Sequence, residues 1–206
     1  MSFTLPCILT FLGALDCGAH GILVPLLETP EQVKAVVAAA KFPPLGTRGF
    51  GSPFSPAVFD PRLTNTQYLQ QANDALLTII QIETLSALQN IDAIARLPGV
   101  DVLFVGPFDL GNAIGRPVTI NANGEAEFHP ELHAAIEKVL EAAFEAGKKT
   151  GIYTYSGEQA GKVARLGFDM VNVSADMVAL TSHLGGELKK AKGEGEKSDV
   201  TGPYGR

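Results

Sequence analysis

The chain has 206 residues, 46% of them hydrophobic and 18% charged, with a formal charge of −6 and a pI near 5.2. That length allows one large domain with a continuous core, the composition is ordinary for an α/β protein, and the acidity with no basic stripe excludes a nucleic-acid partner. Two cysteines, Cys7 and Cys17, without CxxC or Cys/His spacing exclude a disulfide framework and a zinc finger, and fit a reducing, cytoplasmic setting.

The first 13 residues are apolar but carry no basic n-region, since Lys34 is the first Lys or Arg of the chain. A signal peptide is therefore not expected. Asp16 and His20 interrupt the apolar run before it reaches the ~20 residues of a membrane span, so no membrane partner is expected either.

From Gly21 onward, short apolar runs alternate with helix-patterned segments, the signature of βα units around a parallel sheet. The first run is 22–27 (ILVPLL). Thr29-Pro30-Glu31-Gln32 then supplies an N-cap hydroxyl, Pro at N1 and Gln at N3, followed by periodic Val33, Val36, Val37 and Ala40, with a stop before Pro43-Pro44. Residues 46–65 are rich in Gly, Pro and Ser and longer than an αβ turn needs, which reads as a functional or oligomer-contacting loop. A short helix is expected over 68–74, and the second strand over 76–82 (LLTIIQI). Thr84 can cap a helix with Leu85, Leu88, Ile91, Ile94 and Ala95 on its apolar face, ending at Pro98-Gly99.

The third strand is 100–105 (VDVLFV). The longest helix is predicted over 130–146, with Leu132, Ile136, Val139, Leu140 and Phe144 on one side and Gly147 as its C-cap. Residues 151–155 (GIYTY) and 169–173 (DMVNV) are the last two strands. Each run is apolar on both faces, as strands covered by helices outside and core inside would be. Residues 189–206 are Gly- and Lys-rich and read as a disordered tail, leaving one domain over 1–188.

Two strand ends place a carboxylate directly after an apolar run, where buried charge is costly without a partner. They are Gln81-Ile82-Glu83 and Gly106-Pro107-Phe108-Asp109. Active sites of barrels are built at the C-terminal ends of strands, and adjacent strands would bring Glu83 and Asp109 together. Two carboxylates there suit a hard divalent cation such as Mg2+ or Mn2+. The competing reading is that both are N-caps of the helices that follow.

The segments ALDCGAHGILVPLLETPEQ, KFPPLGTRGFG, IIQIETLSALQNIDAI and VDVLFVGPFDLGNAIG closely resemble the HpcH/HpaI aldolase/citrate lyase family, the class II 2-keto acid aldolases. The similarity runs from about residue 14 to about residue 180, and the paired QIE and GPxDL motifs at their spacing are specific. The resemblance implies a (β/α)8 TIM-barrel type fold. It also implies that Glu83 and Asp109 hold a divalent metal (Mg2+, Mn2+ or Co2+) and that Gln81 and the backbone around Phe108 contact a pyruvate- or oxaloacetate-type keto acid. The metal would act as a Lewis acid that stabilises an enolate, with no Schiff-base lysine. Asp16 matches a family aspartate that supports the catalytic histidine, with a neighbouring subunit as one source of that histidine. Its plainer reading is a charge in the last turn of a helix capped by Gly18. Arg48, in Gly46-Thr47-Arg48-Gly49, is read as a loop-anchoring ion-pair partner. Assembly as a homo-oligomer, a trimer or hexamer, is expected from the family.

The family's catalytic histidine and transition-state arginine lie on strands ahead of the point where the resemblance begins. About five βα units are recognisable where a closed barrel needs eight, so the barrel is read as incomplete. A shortened form of a full-length enzyme is favoured over a short paralogue stabilised by partners, because an open sheet leaves an edge needing cover. None of His20, His129, His133 and His183 is placed for general-base work: His20 precedes its strand, and His129 and His133 flank a helix start. The leading expectation is a lyase joining or separating pyruvate and an aldehyde. The alternatives are macrophomate-synthase-like decarboxylation of oxaloacetate on the same site, or a catalytically silent paralogue that only binds metal or partner subunits.

Overall fold

The computed structural model describes residues 13–52, 54–121 and 126–193. After a helical turn at 13–16, β1 (Gly21–Val24) leads into α1 (Pro30–Ala40), α2 (Ser55–Phe59) and α3 (Asn65–Ala75). Next come β2 (Leu77–Ile82), α4 (Leu85–Gln89), α5 (Ile91–Ala95), β3 (Val102–Val105) and α6 (Pro107–Ala113). A small antiparallel pair, β4 (Thr119–Ile120) and β5 (Ala126–Glu127), precedes α7 (Pro130–Glu145), β6 (Lys149–Tyr153), α8 (Gly157–Arg165), β7 (Met170–Asn172) and α9 (Asp176–Ala191). The five longer strands form one parallel sheet in the order β1-β2-β3-β6-β7, half of a barrel with helices on its outside.

Alternation along the strands separates two faces. Val24, Ile80, Ile82, Leu103, Val105 and Ile152 point outward and are fully or almost fully buried against the helical layer, where α1 contributes Val33 and Val36 and α7 contributes Leu132 and Val139. The inner face carries a separate small cluster of Ile79, Val102, Phe104 and Tyr153. Leu23 and Met170, on the outermost strands, remain exposed. Gly151 belongs to this inner face: a Cβ there would strike the Phe104 ring, so the ring lies over the glycine.

The helix starts follow from their caps. Thr29 accepts a hydrogen bond from the Gln32 amide while the Gln32 side chain accepts from the Thr29 backbone, the reciprocal pattern expected from TPEQ. Thr64 and Gln67 repeat it at α3. At the N-terminal edge of the sheet, the buried Lys41 ammonium donates to Asn73 O (2.8 Å), Leu76 O (2.7 Å) and Asp101 Oδ2 (3.0 Å). Asp101 in turn accepts from the Thr78 amide at 2.7 Å, so one cation ties α1 to the starts of β2 and β3.

All five predicted strands are present, with ends shifted by up to three residues. Three local expectations are corrected. The helix expected from Thr84 to Pro98 is divided at Asn90, whose amide donates to Glu28 O and Ser86 O, into α4 and α5. Phe144, expected on the buried side of α7, is 85% exposed because that side is filled by Ala135, Ala142 and Ala143 together with Leu132, Ile136 and Val139. The tail expected over 189–206 does not hold for its first residues: α9 continues through Ala191, so a boundary at 188 falls inside a helix, and residues 194–206 lie outside the described residues. The β4–β5 pair was not anticipated, since two-residue strands leave no periodicity. The apolar stretch over residues 1–12 also lies outside the described residues. Among those described, no helix is long and apolar enough to cross a membrane.

Candidate active site

The register that pairs Ile82 with Val105 sets Glu83 beside Gly106, just past the C-terminal ends of β2 and β3. Glu83 continues the inner-face alternation of Ile79 and Gln81, yet it is only 3% exposed. Its Oε1 accepts from the Leu26 amide at 2.7 Å, and its Oε2 accepts from Gln81 Nε2 at 2.5 Å. Leu26 delivers that amide from a left-handed conformation, φ 57°, uncommon for a residue with a side chain. Gly106 leaves the space the two side chains need: a Cβ there would lie 2.7 Å from Gln81 Nε2 and 3.0 Å from Glu83 Oε2.

Pro107 opens α6 and brings Asp109 round in its first turn, beside Glu83. Neither carboxylate is an N-cap. Thr84 caps α4 by accepting from the Ala87 amide at 3.0 Å, and Gly106 occupies the cap position of α6. The N-cap alternative is thereby set aside, and both carboxylates are left for each other and for what enters between them.

Burial pushes the Glu83 carboxyl above its ordinary range; the Leu26 amide opposes this, and the Asp109 charge adds to it. None of the ion pairs among the described residues includes Glu83 or Asp109. Two like charges held together without a counter-charge favour a cation. Among the described residues no third His, Cys, Asp or Glu joins them into a larger ligand group. The donor set therefore fits a hard divalent ion with positions left over for water and substrate oxygen.

A carboxyl whose folded pKa lies above its unfolded value favours the folded state at low pH, and this contribution is lost as pH rises through the folded value. Metal-free Glu83→Gln is thus expected to melt higher than the metal-free wild type at pH 8 and to match it at pH 4, as differential scanning calorimetry would read. An equal gap at both pH values would contradict the assignment of the shift to Glu83.

The mouth of the half-barrel is a cavity of about 370 Å3 on the inner face. Gln81 and Asp109 stand on one flank and Tyr153, Tyr155 and Asn172, from the ends of β6 and β7, on the other. Phe108, half exposed, reaches the cavity beside Asp109. The Tyr155 phenol is pushed up to about 12, by burial first and then by Tyr153 and the Asp109 charge. A larger hollow of about 610 Å3 between α7 and α8 includes neither carboxylate, and its size alone assigns it no chemistry.

Glu83, Asp109, Gln81 and Phe108 are brought together; Asp16 is not among them. It closes the helical turn ahead of β1, at the opposite edge of the sheet, and accepts from Arg48 Nη2 at 2.8 Å. Gly18 follows with φ +96°, the left-handed cap expected there. The buried Arg48 guanidinium also lies 4.5 Å over the Phe42 ring, and Ser52 and Ser55 donate to Asp16 O. This cluster pins the 46–55 loop, the anchoring role expected of Arg48. The sequence reading did not single out Tyr153, Tyr155 and Asn172. The signal was available in GIYTY, where two tyrosines at i and i+2 must share the face opposite Ile152.

Comparison with known proteins identifies the family. The family model described as HpcH/HpaI aldolase/citrate lyase matches residues 6–182. A 2-keto-3-deoxy-L-rhamnonate aldolase from Klebsiella pneumoniae is 35% identical over 87% of this chain, which spans 64% of that relative's length. A 2-dehydro-3,6-dideoxy-6-sulfogluconate aldolase from Pseudomonas putida is 36% identical over 93% of this chain and 71% of the relative. The crystal structure of an HpcH/HpaI aldolase from Desulfitobacterium hafniense superposes with a TM-score of 0.78 at 30% identity, covering 95% of this chain and 71% of that one. From its sequence, its half-barrel and these relatives, the chain belongs to the HpcH/HpaI aldolase/citrate lyase family.

Proposed function

We propose that the chain carries the metal and keto-acid half of a class II pyruvate aldolase, a carbon–carbon lyase that makes or breaks the bond between C3 of pyruvate and an aldehyde carbon. The observation that carries this reading is the buried Glu83 beside Asp109 at two adjacent strand ends, without an ion-pair partner among the described residues. Glu83 and Asp109 would hold the divalent cation, which supplies Lewis acidity toward the keto oxygen and so stabilises enolate charge. The Leu26 amide and Gln81 fix Glu83, and Gln81 with the backbone around Phe108 would orient the keto acid. In the cleavage direction the C3–C4 bond of a 4-hydroxy-2-keto acid breaks, its electron pair stays with the pyruvate fragment, and the 4-hydroxyl loses its proton as the aldehyde leaves.

No histidine lines the cavity among the described residues, and the base that takes this proton is not assigned to them. Asp16 is paired with Arg48 at the far edge of the sheet, and a histidine for it to support would come from outside the described residues. Homo-oligomer formation belongs to the same proposal. In support, no residue of α9 is buried, and Met177, Leu180, Leu184 and Leu188 leave an apolar stripe uncovered.

Solvent exchange of the pyruvate methyl protons tests the keto-acid half by itself. With Mg2+, Mn2+ or Co2+ and the full chain in a D2O buffer that itself supplies the base, the methyl signal of pyruvate is expected to decay in proton NMR faster than with metal and buffer alone. Decay no faster than the metal-and-buffer control would refute the enolate reading for this chain.

A further inference from the structure

We propose that Tyr153 and Tyr155, with Asn172, form the subsite for the aldehyde half of the substrate and select a neutral, hydroxylated tail over an anionic one. This rests on the keto-acid reading of Glu83 and Asp109 and adds what lies beyond the keto acid.

The geometry of the cavity carries it. With Gln81 and Asp109 at one flank and the buried Glu83 beside Asp109, a longer substrate anchored there extends across the inner face to the ends of β6 and β7. On the opposite side, toward β1, the lining residue is the apolar Leu23. The two tyrosine rings are fixed in place: they meet edge to face at 5.3 Å and 74°, and Tyr155 meets the Phe128 ring at 6.4 Å and 84°. The Tyr155 amide donates to Gln159 Oε1 at 2.8 Å, so the start of α8 holds its backbone. Asn172 Oδ1 accepts from the Ser174 amide at 3.1 Å, which commits its oxygen and leaves its NH2 to donate.

Neither phenol hydroxyl makes a hydrogen bond to another described residue. The flank thus offers two phenols and an amide as donors, on an apolar floor that includes Phe104. No Lys, Arg or His lines the cavity among the described residues. A phosphate, sulfonate or second carboxylate would enter beside Asp109 without a counter-charge, at the cost of desolvation and like-charge repulsion. Hydroxyl groups would pair with the donors, and a site built to hydrogen-bond a hydroxyl discriminates strongly against a tail that lacks it.

Calorimetric titration of the Mg2+-loaded full chain separates these cases. The ligands are pyruvate, 2-oxo-5,6-dihydroxyhexanoate, which has no 4-hydroxyl and cannot be cleaved, and its 6-phosphate. The dihydroxy acid is expected to bind the wild type at least about tenfold tighter than its phosphate. The double substitution Tyr153→Phe and Tyr155→Phe keeps both rings and is expected to weaken the dihydroxy acid by about tenfold, the scale of two hydroxyl hydrogen bonds, with pyruvate changed by less than about twofold. Equal or tighter binding of the phosphate overturns the proposal, and so does wild-type affinity in the double variant. Failure of pyruvate itself to bind the wild type overturns the underlying keto-acid reading as well, a result distinct from a loss confined to the longer acids.

Discussion

Glu83→Ala and Asp109→Ala are each expected to lower metal-dependent pyruvate release from 4-hydroxy-2-keto acids by more than the roughly 100-fold that loss of an outer-sphere partner costs a metal site. The two variants should differ in what else they change. Asp109 is exposed to the cavity in the first turn of α6, so its removal leaves the fold intact and raises the metal concentration needed for half activity. Glu83 is buried and receives the Leu26 amide, so its removal also orphans that N–H and frees Leu26 from its left-handed conformation. Lower thermal stability is therefore expected for Glu83→Ala and not for Asp109→Ala. Gln81→Leu, which removes the donor to Glu83 Oε2 and the amide proposed to orient the keto acid, falls between, at about 10- to 100-fold. Steady-state rates titrated with Mn2+ check all three. Equal activity in Asp109→Ala and wild type at limiting metal would contradict the pairing.

The largest effect on stability is expected at Lys41, far from the chemistry. Lys41→Met retains most of the aliphatic stem but deletes the ammonium that serves Asn73 O, Leu76 O and Asp101 Oδ2. Two carbonyls lose their donor, and Asp101 keeps the Thr78 amide as its remaining partner. Removing one member of a buried ion pair typically costs 3 to 5 kcal/mol. Asp101 is about one-third exposed and can recover some hydration, so a loss of about 3 kcal/mol is expected in urea unfolding. The double variant Lys41→Met, Asp101→Asn should recover part of it, and a loss below about 1 kcal/mol would show that the ammonium is not the tie between α1 and the strand starts.

The difference between these two sites explains what could be read from residues alone. Glu83 and Asp109 are legible because each follows a buried parallel strand, and such strands appear in sequence as unbroken apolar runs with an abrupt polar end. The capping box at Thr29 and Gln32 is equally local, its two halves three residues apart. Lys41 carries no such mark: its partners lie 32, 35 and 60 residues away, and in the sequence it is an ordinary lysine at a helix end.

The break at Asn90 has the same origin, since the amide that divides α4 from α5 is held partly by Glu28 O, 62 residues away. Phe144 was misplaced because helical periodicity assigns a stripe but not its width, and the alanines of α7 fill the buried side. Alternation in GIYTY is enough to put Tyr153 and Tyr155 on one face, but only the assembled sheet shows Asp109 across the cavity from them.

Glu83 and Asp109 are proposed to hold one divalent cation together. Electron paramagnetic resonance of Mn2+ titrated into the full chain measures this without any turnover. One bound Mn2+ per chain is predicted for the wild type, with a spectrum altered by pyruvate, and loss of that binding is predicted in both Glu83→Ala and Asp109→Ala. Mn2+ bound with unchanged affinity in either variant would contradict it.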